Sequence, residues 1–166
     1  MSQAVPRSTS QSTPTATSRS FRVGVWRSFM EIHHAVLREI ERELAERHRL
    51  SVSEFDALVN IPLGGARLKD LKERIVLTQS AVSRLCDRLA QRGLVTRTPI
   101  EEDGRGALIE LTEEGRGLLR AAVLTNAEVV ERSFASRLSA DQLLSLRGIL
   151  DGLQTAEGAR ECDTAV

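Results

Sequence analysis

The sequence contains little cysteine and no long apolar run. Cys86 and Cys162 are the two cysteines among 166 residues, too few for a disulfide framework, and such scarcity is typical of a reducing compartment. No apolar stretch approaches the roughly 18 residues that a membrane-crossing helix requires. We therefore expect a cytoplasmic protein without a membrane partner.

The common motifs of enzymes and metal sites are also missing. There is no glycine-rich phosphate loop, no Gly-x-Ser-x-Gly and no His-Glu-x-x-His. His33 and His34 are adjacent, so on a helix they point about 100° apart, and His48 lies several turns further on. These observations predict a protein that is not an enzyme and has no catalytic residues, metal ion or cofactor.

Acidic residues are absent from the first twenty positions, which hold ten Ser/Thr and two Pro. A segment of this composition buries too little apolar surface to offset the conformational entropy lost on folding. Residues 1–20 are therefore predicted to be a disordered tail.

The formal net charge is zero, but the charges are unevenly distributed. Residues 67–98 hold 8 Lys/Arg against 3 Asp/Glu, whereas residues 99–166 hold 7 against 13. A phosphate backbone responds to local charge, because the Debye length is about 8 Å at physiological salt. The central basic segment is therefore compatible with a nucleic-acid partner.

Apolar residues at spacings of three and four predict helices along most of the chain. Capping boxes at Ser51–Glu54 and Ser139–Gln142 open two of them, and Thr78 and Thr112 are N-cap residues for two others. The predicted spans, in order, are 21–48, 51–61, 68–74, 78–92, 112–137 and 139–153.

The long helices at the two ends of the chain have no obvious core of their own. We interpret 21–48 and 113–155 as dimerisation helices of a two-fold homodimer, around a middle lobe over 49–112 and before a frayed tail over 156–166. In the alternative, these helices pack only on the middle lobe.

The fourth predicted helix separates its side chains into two faces, at about 100° per residue. Val82, Leu85, Cys86 and Leu89 share one stripe, and Ser and Arg residues occupy the opposite face. Arginine can bind guanine in a bidentate manner, hydroxyls pair with donors or acceptors, and a helix N-terminus favours a phosphate. A polar face is common on surface helices, so the helix alone does not decide for DNA.

A hairpin is predicted directly after this helix. Ala107, Ile109 and Leu111 alternate with polar residues, which indicates a strand, and Asp103-Gly104 supplies turn chemistry. Arg105 then lies at the tip of the turn. A polar-faced helix followed by a basic-tipped hairpin indicates a winged helix-turn-helix.

The run from Leu68 through Gly115 resembles the MarR family of bacterial transcription regulators. Three pieces carry the resemblance: LTQSAVSRLCDRLAQRGLVTR at 77–97, DGR at 103–105 and IELTEEG at 109–115. It implies a mainly α protein with a small β-hairpin wing, that is, a winged helix-turn-helix domain with N- and C-terminal dimerisation helices. It also implies a set of DNA-binding residues, which are Thr78, Gln79, Ser80, Ser83, Arg84, Arg88 and, in the minor groove, Arg105. Asp103 and Arg97 would support the wing.

The implied function is a sequence-specific repressor that binds a near-palindromic operator in double-stranded DNA as a dimer. Activation is equally compatible with the residues. Release by a small aromatic effector is a further expectation, with Trp26, His33 and Phe55 as candidate ligand-binding residues. The competing hypothesis is a helical dimer that acts as a protein-interaction module without specific DNA binding.

Cys86 admits two interpretations. Some relatives of the family sense oxidants through a cysteine of the first helix, where this sequence has none. Cys86 falls in the apolar stripe of the fourth helix, which favours core packing over redox sensing.

Overall fold

The computed structural model describes residues 18–75, 78–100 and 106–163, without the side chains of Lys72, Gln79 and 156–163. The described residues form six α-helices and three short strands. The elements are α1 (Arg19–His48), α2 (Val52–Val59), β1 (Ala66–Arg67), α3 (Leu68–Arg74), α4 (Gln79–Gln91), β2 (Val95–Pro99), β3 (Ala107–Leu111), α5 (Glu113–Ser133) and α6 (Ala140–Asp163), with a 3₁₀ turn at Ala135–Arg137.

The described part of the chain divides into two compact units between Ala35 and Val36. The boundary between the units falls inside α1, and it does not test which helices form a dimer interface. The assignment of 21–48 and 113–155 as dimerisation helices therefore stays a prediction.

Side-chain caps begin the helices of the second unit largely where the sequence predicts. Ser51 and Glu54 form a reciprocal capping box at α2, because the Oγ of Ser51 accepts from the Glu54 amide at 3.2 Å and the Glu54 carboxylate accepts from the Ser51 amide at 3.0 Å. The hydroxyl of Thr78 caps α4 by accepting a hydrogen bond from the Ala81 amide, and the hydroxyl of Thr112 caps α5 by accepting one from the Gly115 amide. These predicted helix starts are confirmed.

Three predicted boundaries are corrected. α1 begins at Arg19, inside the segment expected to be a tail, because the Ser18 hydroxyl accepts from the Phe21 amide at 3.2 Å and caps the helix. α5 ends at Ser133 rather than near Arg137, where Ser136 Oγ donates to the Arg132 carbonyl at 3.3 Å and competes with the helical bond.

α6 runs to Asp163, well beyond the predicted end near Leu153. Six of its last ten positions hold good helix formers, which outnumber the one glycine, Gly158; they are Gln154, Ala156, Glu157, Ala159, Arg160 and Glu161. The expected tail over 1–17 and the last residues, 164–166, lie outside the described part of the chain.

The predicted wing hairpin is confirmed but belongs to a three-stranded antiparallel sheet of order β1-β3-β2. Val95 pairs with Leu111 and Pro99 with Ala107, and the buried positions of β3 alternate as predicted. The added strand, β1, pairs Ala66 with Ile109. Two residues are too few to produce an alternating pattern, so the sequence did not indicate this strand.

The core of the second unit lies between the C-terminal part of α1, helices α2 to α4, the sheet and the start of α5. Leu44, Leu58, Leu71, Leu89 and Ile109 are fully buried there. α1 is joined to α5 by polar contacts as well, since the His48 ring and the buried Thr125 hydroxyl are 2.8 Å apart. This core holds the back of α4 and leaves the opposite face outward.

Candidate nucleic-acid interface

α4 is divided into a buried face and an outward polar face, as its sequence pattern predicts. Val82, Leu85, Cys86 and Leu89 are each at most 1% exposed. The residues on the other side are polar, and three of the predicted DNA-binding residues there are exposed, namely Ser80, Arg84 and Arg88, whereas Ser83 is half-buried. The fold therefore brings these four side chains to one outward face of a rigidly packed helix.

The N-terminus of α4 is held by Thr78. Its Oγ accepts from the Ala81 amide at 3.3 Å and lies 3.3 Å from the hydroxyl of Ser80. Gln79 is the first helical residue, and its side chain lies outside the description. Amides in the first turn of a helix carry partial positive charge and can bind an anion.

The cationic character of this face depends on which acids are neutralised. Asp87 forms an ion pair with Arg97 of β2. Among the described residues, no acidic side chain pairs with Arg84 or Arg88. Within the described ranges, two arginines one turn apart therefore remain without an acidic partner on the outward face of α4.

The same ion pair links α4 to the wing. Asp87 and Arg97 are ten residues apart, and β2 returns past the C-terminal half of α4 to bring them together. The contact supports the predicted role of Arg97 in the wing, and that role stays a prediction. The sequence could not name Asp87 as the partner, because the pairing depends on the direction that β2 takes after Gly93.

Gly93 turns the chain from α4 into the wing. Its φ is 71°, in the left-handed region, and it follows the C-cap residue Arg92. The Arg92 guanidinium lies 3.2 Å from the carboxylate of Glu54, which ties the end of α4 to the capping box of α2. The C-terminal end of α4 is thereby fixed against α2.

The base of the wing is fastened to α5 at a close contact between Leu94 and the residues from Thr112 to Gly115. The Thr112 amide donates to the Leu94 carbonyl at 3.1 Å, and its hydroxyl donates to the Gly93 carbonyl at 2.7 Å. A Cβ on Gly115 would lie 1.9 Å from the Leu94 carbonyl oxygen. The glycine of the IELTEEG motif is thus required by packing, a role that its position in the motif did not reveal.

Asp103 and Arg105 lie outside the described residues. The strands on either side are described to their ends, and the Ile100 amide donates to the Gly106 carbonyl at 3.1 Å. Residues 101–105 connect these two positions, which are adjacent to each other. The roles of Asp103 and Arg105 stay predictions.

The candidate ligand-binding residues belong to both units. Trp26 and His33 lie on the N-terminal part of α1, where the rings of Trp26 and Phe29 are 5.8 Å apart and those of Phe29 and His33 are 6.5 Å apart. Trp26 is 63% exposed. Phe55 is half-buried in the second unit and lines a cleft of about 310 Å³.

This cleft has mainly apolar walls. Its lining residues come from α1, α2, the end of α3 and α5, and they are Leu37, Ile40, Val52, Ser53, Phe55, Asp56, Ile75 and Asn126. The volume is at the lower end of the range for small-molecule sites. The lining includes one carboxylate and no cation.

Cys86 is buried in the core of the second unit. Burial raises the pKa of the Cys86 thiol, and the nearby Asp87 acts in the same direction while Arg97 opposes it. A thiol whose thiolate is disfavoured is a weak nucleophile. These observations favour the packing interpretation over redox sensing.

Neither a metal site nor a membrane span is found within the described ranges. In 18–75, 78–100 and 106–163, no group of three or more His, Cys, Asp or Glu side chains is placed to hold a metal ion. Within those ranges, no helix combines the length and the apolar character that crossing a membrane demands.

Comparison with known families identifies this arrangement of helices and wing. Residues 48–106, which include α2 to α4 and β2 but stop before β3, match the family model described as the MarR family. This central part of the chain is therefore similar to the MarR family. The resemblance seen in the sequence is therefore confirmed, and the fold is the winged helix-turn-helix that it implied.

Two curated relatives each match a little over 60% of the chain. The chain is 34% identical over 108 residues to the HTH-type transcriptional regulator PecS of Dickeya dadantii, covering 63% of this chain and 64% of that protein. It is 26% identical over 102 residues to the multiple antibiotic resistance protein MarR of Salmonella typhimurium, covering 61% and 71%. The match thus spans a little under two thirds of the PecS regulator.

Solved MarR-family structures agree with the fold over more of the chain. AbsC, a MarR family transcriptional regulator from Streptomyces coelicolor, has a TM-score of 0.72 at 26% identity and covers 90% of this chain and 99% of its own. Sco3205 from the same organism, whose structure contains DNA, has a TM-score of 0.71 at 26% identity, covering 87% and 91%.

Proposed function

We propose that this protein is a transcriptional regulator that binds a near-palindromic operator in double-stranded DNA as a homodimer and acts as a repressor in the cytoplasm. The observation that carries the proposal is the outward face of α4. It presents Arg84, Arg88 and Ser80 on a helix whose other side is fully buried. These are side-chain types that bind base edges and phosphates.

The charge distribution supports DNA rather than a protein partner. Arg84 and Arg88 lack acidic partners among the described residues, whereas Asp87 is already paired with Arg97. A phosphate array can supply the missing negative charge along the whole face. A protein partner would need acids spaced to match, which is a narrower requirement.

A dimer is supported by apolar surface on the terminal helices. On the N-terminal part of α1, Val25, Phe29 and Ile32 are about half exposed. On α6, Leu144 is 71% exposed, and Ile149 and Leu153 are each 62% exposed. Apolar patches of this kind mark interaction surfaces. In a two-fold dimer that covers them, two α4 helices would enter major grooves about one DNA turn apart.

The wing would extend the interface into the flanking minor groove. β2 and β3 hold the ends of the segment 101–105 together, and Arg105 follows Asp103 by two residues. A narrow A·T-rich minor groove concentrates negative potential and attracts arginine. We assign Arg105 to that groove and Asp103 to orienting its guanidinium.

Effector release is assigned to the cleft lined by Phe55. A small aromatic molecule fits its volume and its apolar walls, and Asp56 and Asn126 offer polar groups for orientation. Such a ligand lowers DNA affinity only if it binds the DNA-incompetent arrangement more tightly. Trp26 and His33 do not line this cleft, and their part in effector binding stays a prediction.

A salt-dependent gel shift tests the proposal. Wild-type protein should retain duplex fragments of its own genome in dilute salt and release them steeply as salt rises. The double variant Arg84→Ala/Arg88→Ala should bind much more weakly, whereas Arg120→Ala, which removes a 68%-exposed arginine side chain on α5, should bind as the wild type does. Failure of the wild type to retain any duplex would favour the protein-interaction module instead.

A further inference from the structure

A second cleft lies beside the outward face of α4. Its volume is about 390 Å³, and it is lined by residues of α2 and α4, namely Ser53, Ala81, Arg84, Leu85 and Arg88. Both exposed arginines of α4 therefore border one recess, together with a hydroxyl from a different helix.

The electrostatic balance of this recess is positive. The nearest acid in the sequence of α2, Glu54, is already engaged, because its Oε2 lies 3.2 Å from the Arg92 guanidinium and accepts the Ser51 amide at 3.0 Å. Asp87 is paired with Arg97. Asp56, the other acid of α2, accepts a hydrogen bond from the Asn60 side chain and lines the cleft of Phe55 instead. The two arginines thus face a recess whose described lining contains no acid.

Ser53 supplies the neutral polar group of the recess. It is exposed in the first turn of α2, and its hydroxyl takes part in no hydrogen bond within the described part of the chain. The hydroxyl that caps α2 belongs to Ser51. Ser53 is therefore not needed to build the helix.

We propose that this cleft binds one backbone phosphate of duplex DNA, with Ser53 donating a hydrogen bond to a phosphate oxygen and Arg84 and Arg88 supplying the positive charge. The assignment rests on the proposed function and extends the interface to α2. Arginines at i and i+4 stand about 5–6 Å apart at their Cβ atoms, so two guanidinium groups can converge on one phosphate. Arg84 carries five N–H donors and can bind a base edge at the same time.

Replacement of Ser53 tests the cleft without damaging the fold. Ser53→Glu places a carboxylate at the second position of α2, where the helix dipole favours an acid, so thermal stability should be kept or raised. The same carboxylate would occupy the place of the phosphate and repel the backbone. Ser53→Ala removes the hydrogen bond alone.

Leu63→Glu is the matched control for charge. Leu63 is 89% exposed in the loop after α2, and the eight residues of α2 extend about 12 Å. Leu63→Glu adds the same charge to the same unit, in the loop after the C-terminal end of α2, whereas Ser53 lies in the first turn of that helix. Fluorescence anisotropy with a labelled mixed-sequence duplex reports affinity, because a backbone contact does not depend on base sequence.

The expected results are distinct for each variant. Ser53→Ala should weaken duplex binding about tenfold or more, the loss typical of one hydrogen bond to a charged group, and should leave the salt slope unchanged because no counterion-releasing charge is removed. Ser53→Glu should weaken it further, and Leu63→Glu should bind as the wild type does.

Two outcomes would overturn the assignment. If Ser53→Glu binds as tightly as the wild type, or no more weakly than Leu63→Glu, the cleft binds no phosphate while the proposed function stands. If the wild-type protein itself fails to bind duplex in dilute salt, the proposed function and the cleft assignment fail together.

Discussion

Replacing Gly115 with alanine should separate the wing from α5 and destabilise the protein. The new Cβ would lie 1.9 Å from the Leu94 carbonyl oxygen and 2.9 Å from its carbon. Both atoms are backbone, so relief requires moving the start of α5 or the base of the wing. Either movement stretches the 3.1 Å bond from the Thr112 amide to Leu94 and the 2.7 Å bond from the Thr112 hydroxyl to Gly93.

The expected loss of unfolding free energy follows from the clash and the weakened hydrogen bonds. Overpacking of a close contact costs about 1–3 kcal/mol, and each weakened hydrogen bond adds about 1 kcal/mol. Alanine recovers up to about 1 kcal/mol of helix propensity over glycine. With two weakened hydrogen bonds, the net loss of unfolding free energy should therefore be about 2–4 kcal/mol.

Gly117→Ala provides the matched control on the same helix. The nearest atom to a Cβ at Gly117 is the flexible Nη2 of Arg120, at 3.9 Å. Without a clash, only the propensity gain remains, so stability should rise by up to about 1 kcal/mol. Urea unfolding of both variants at one fixed protein concentration measures the difference. Equal stability of Gly115→Ala and Gly117→Ala would refute the close-contact argument.

The other predictions concern DNA binding and the buried thiol. Arg105→Ala should lower the magnitude of the salt slope by roughly 0.9 for each phosphate that the protein no longer neutralises; binding isotherms at several salt concentrations check this, and an unchanged slope and affinity would remove Arg105 from the interface. Arg84→Ala should relax base preference by about 1–3 kcal/mol per half-site if its interaction with the base is bidentate, measured by competition between matched and single-substituted operators, whereas undiminished discrimination would exclude direct readout. Because burial raises the pKa of the Cys86 thiol, ionisation above about pH 8.5 should favour the unfolded chain. Thiol labelling of a Cys162→Ser variant should then follow unfolding, and rapid labelling of the folded protein would argue for a reactive cysteine.

Much of the fold could be predicted because local chemistry determines it. The caps at Ser51, Thr78 and Thr112 fix helix starts through hydrogen bonds within four residues, and the apolar stripe of α4 is a property of its own sequence. β1 could not be predicted, since its two residues are ordered only by pairing with β3. The end of α5 is different, because the Ser136 hydroxyl donates to the Arg132 carbonyl only four residues back, a local contact that apolar spacing does not reveal.

The candidate site likewise contains residues that the sequence predicts and residues that only tertiary packing brings together. The polar face of α4 follows from helical spacing, so its residues could be named from the sequence. Ser53 could not, because it joins Arg84 and Arg88 only through the packing of α2 on α4. The pairing of Asp87 with Arg97 and the close approach of Gly115 to Leu94 likewise depend on the path of the wing.

Hydroxyl-radical footprinting of a genomic fragment retained by the purified protein tests the central claim most directly. If two copies insert α4 into adjacent major grooves, the protected sugars should form a two-fold symmetric pattern with centres about one helical turn apart. Protection confined to one groove, or none at any protein concentration in dilute salt, would contradict the account.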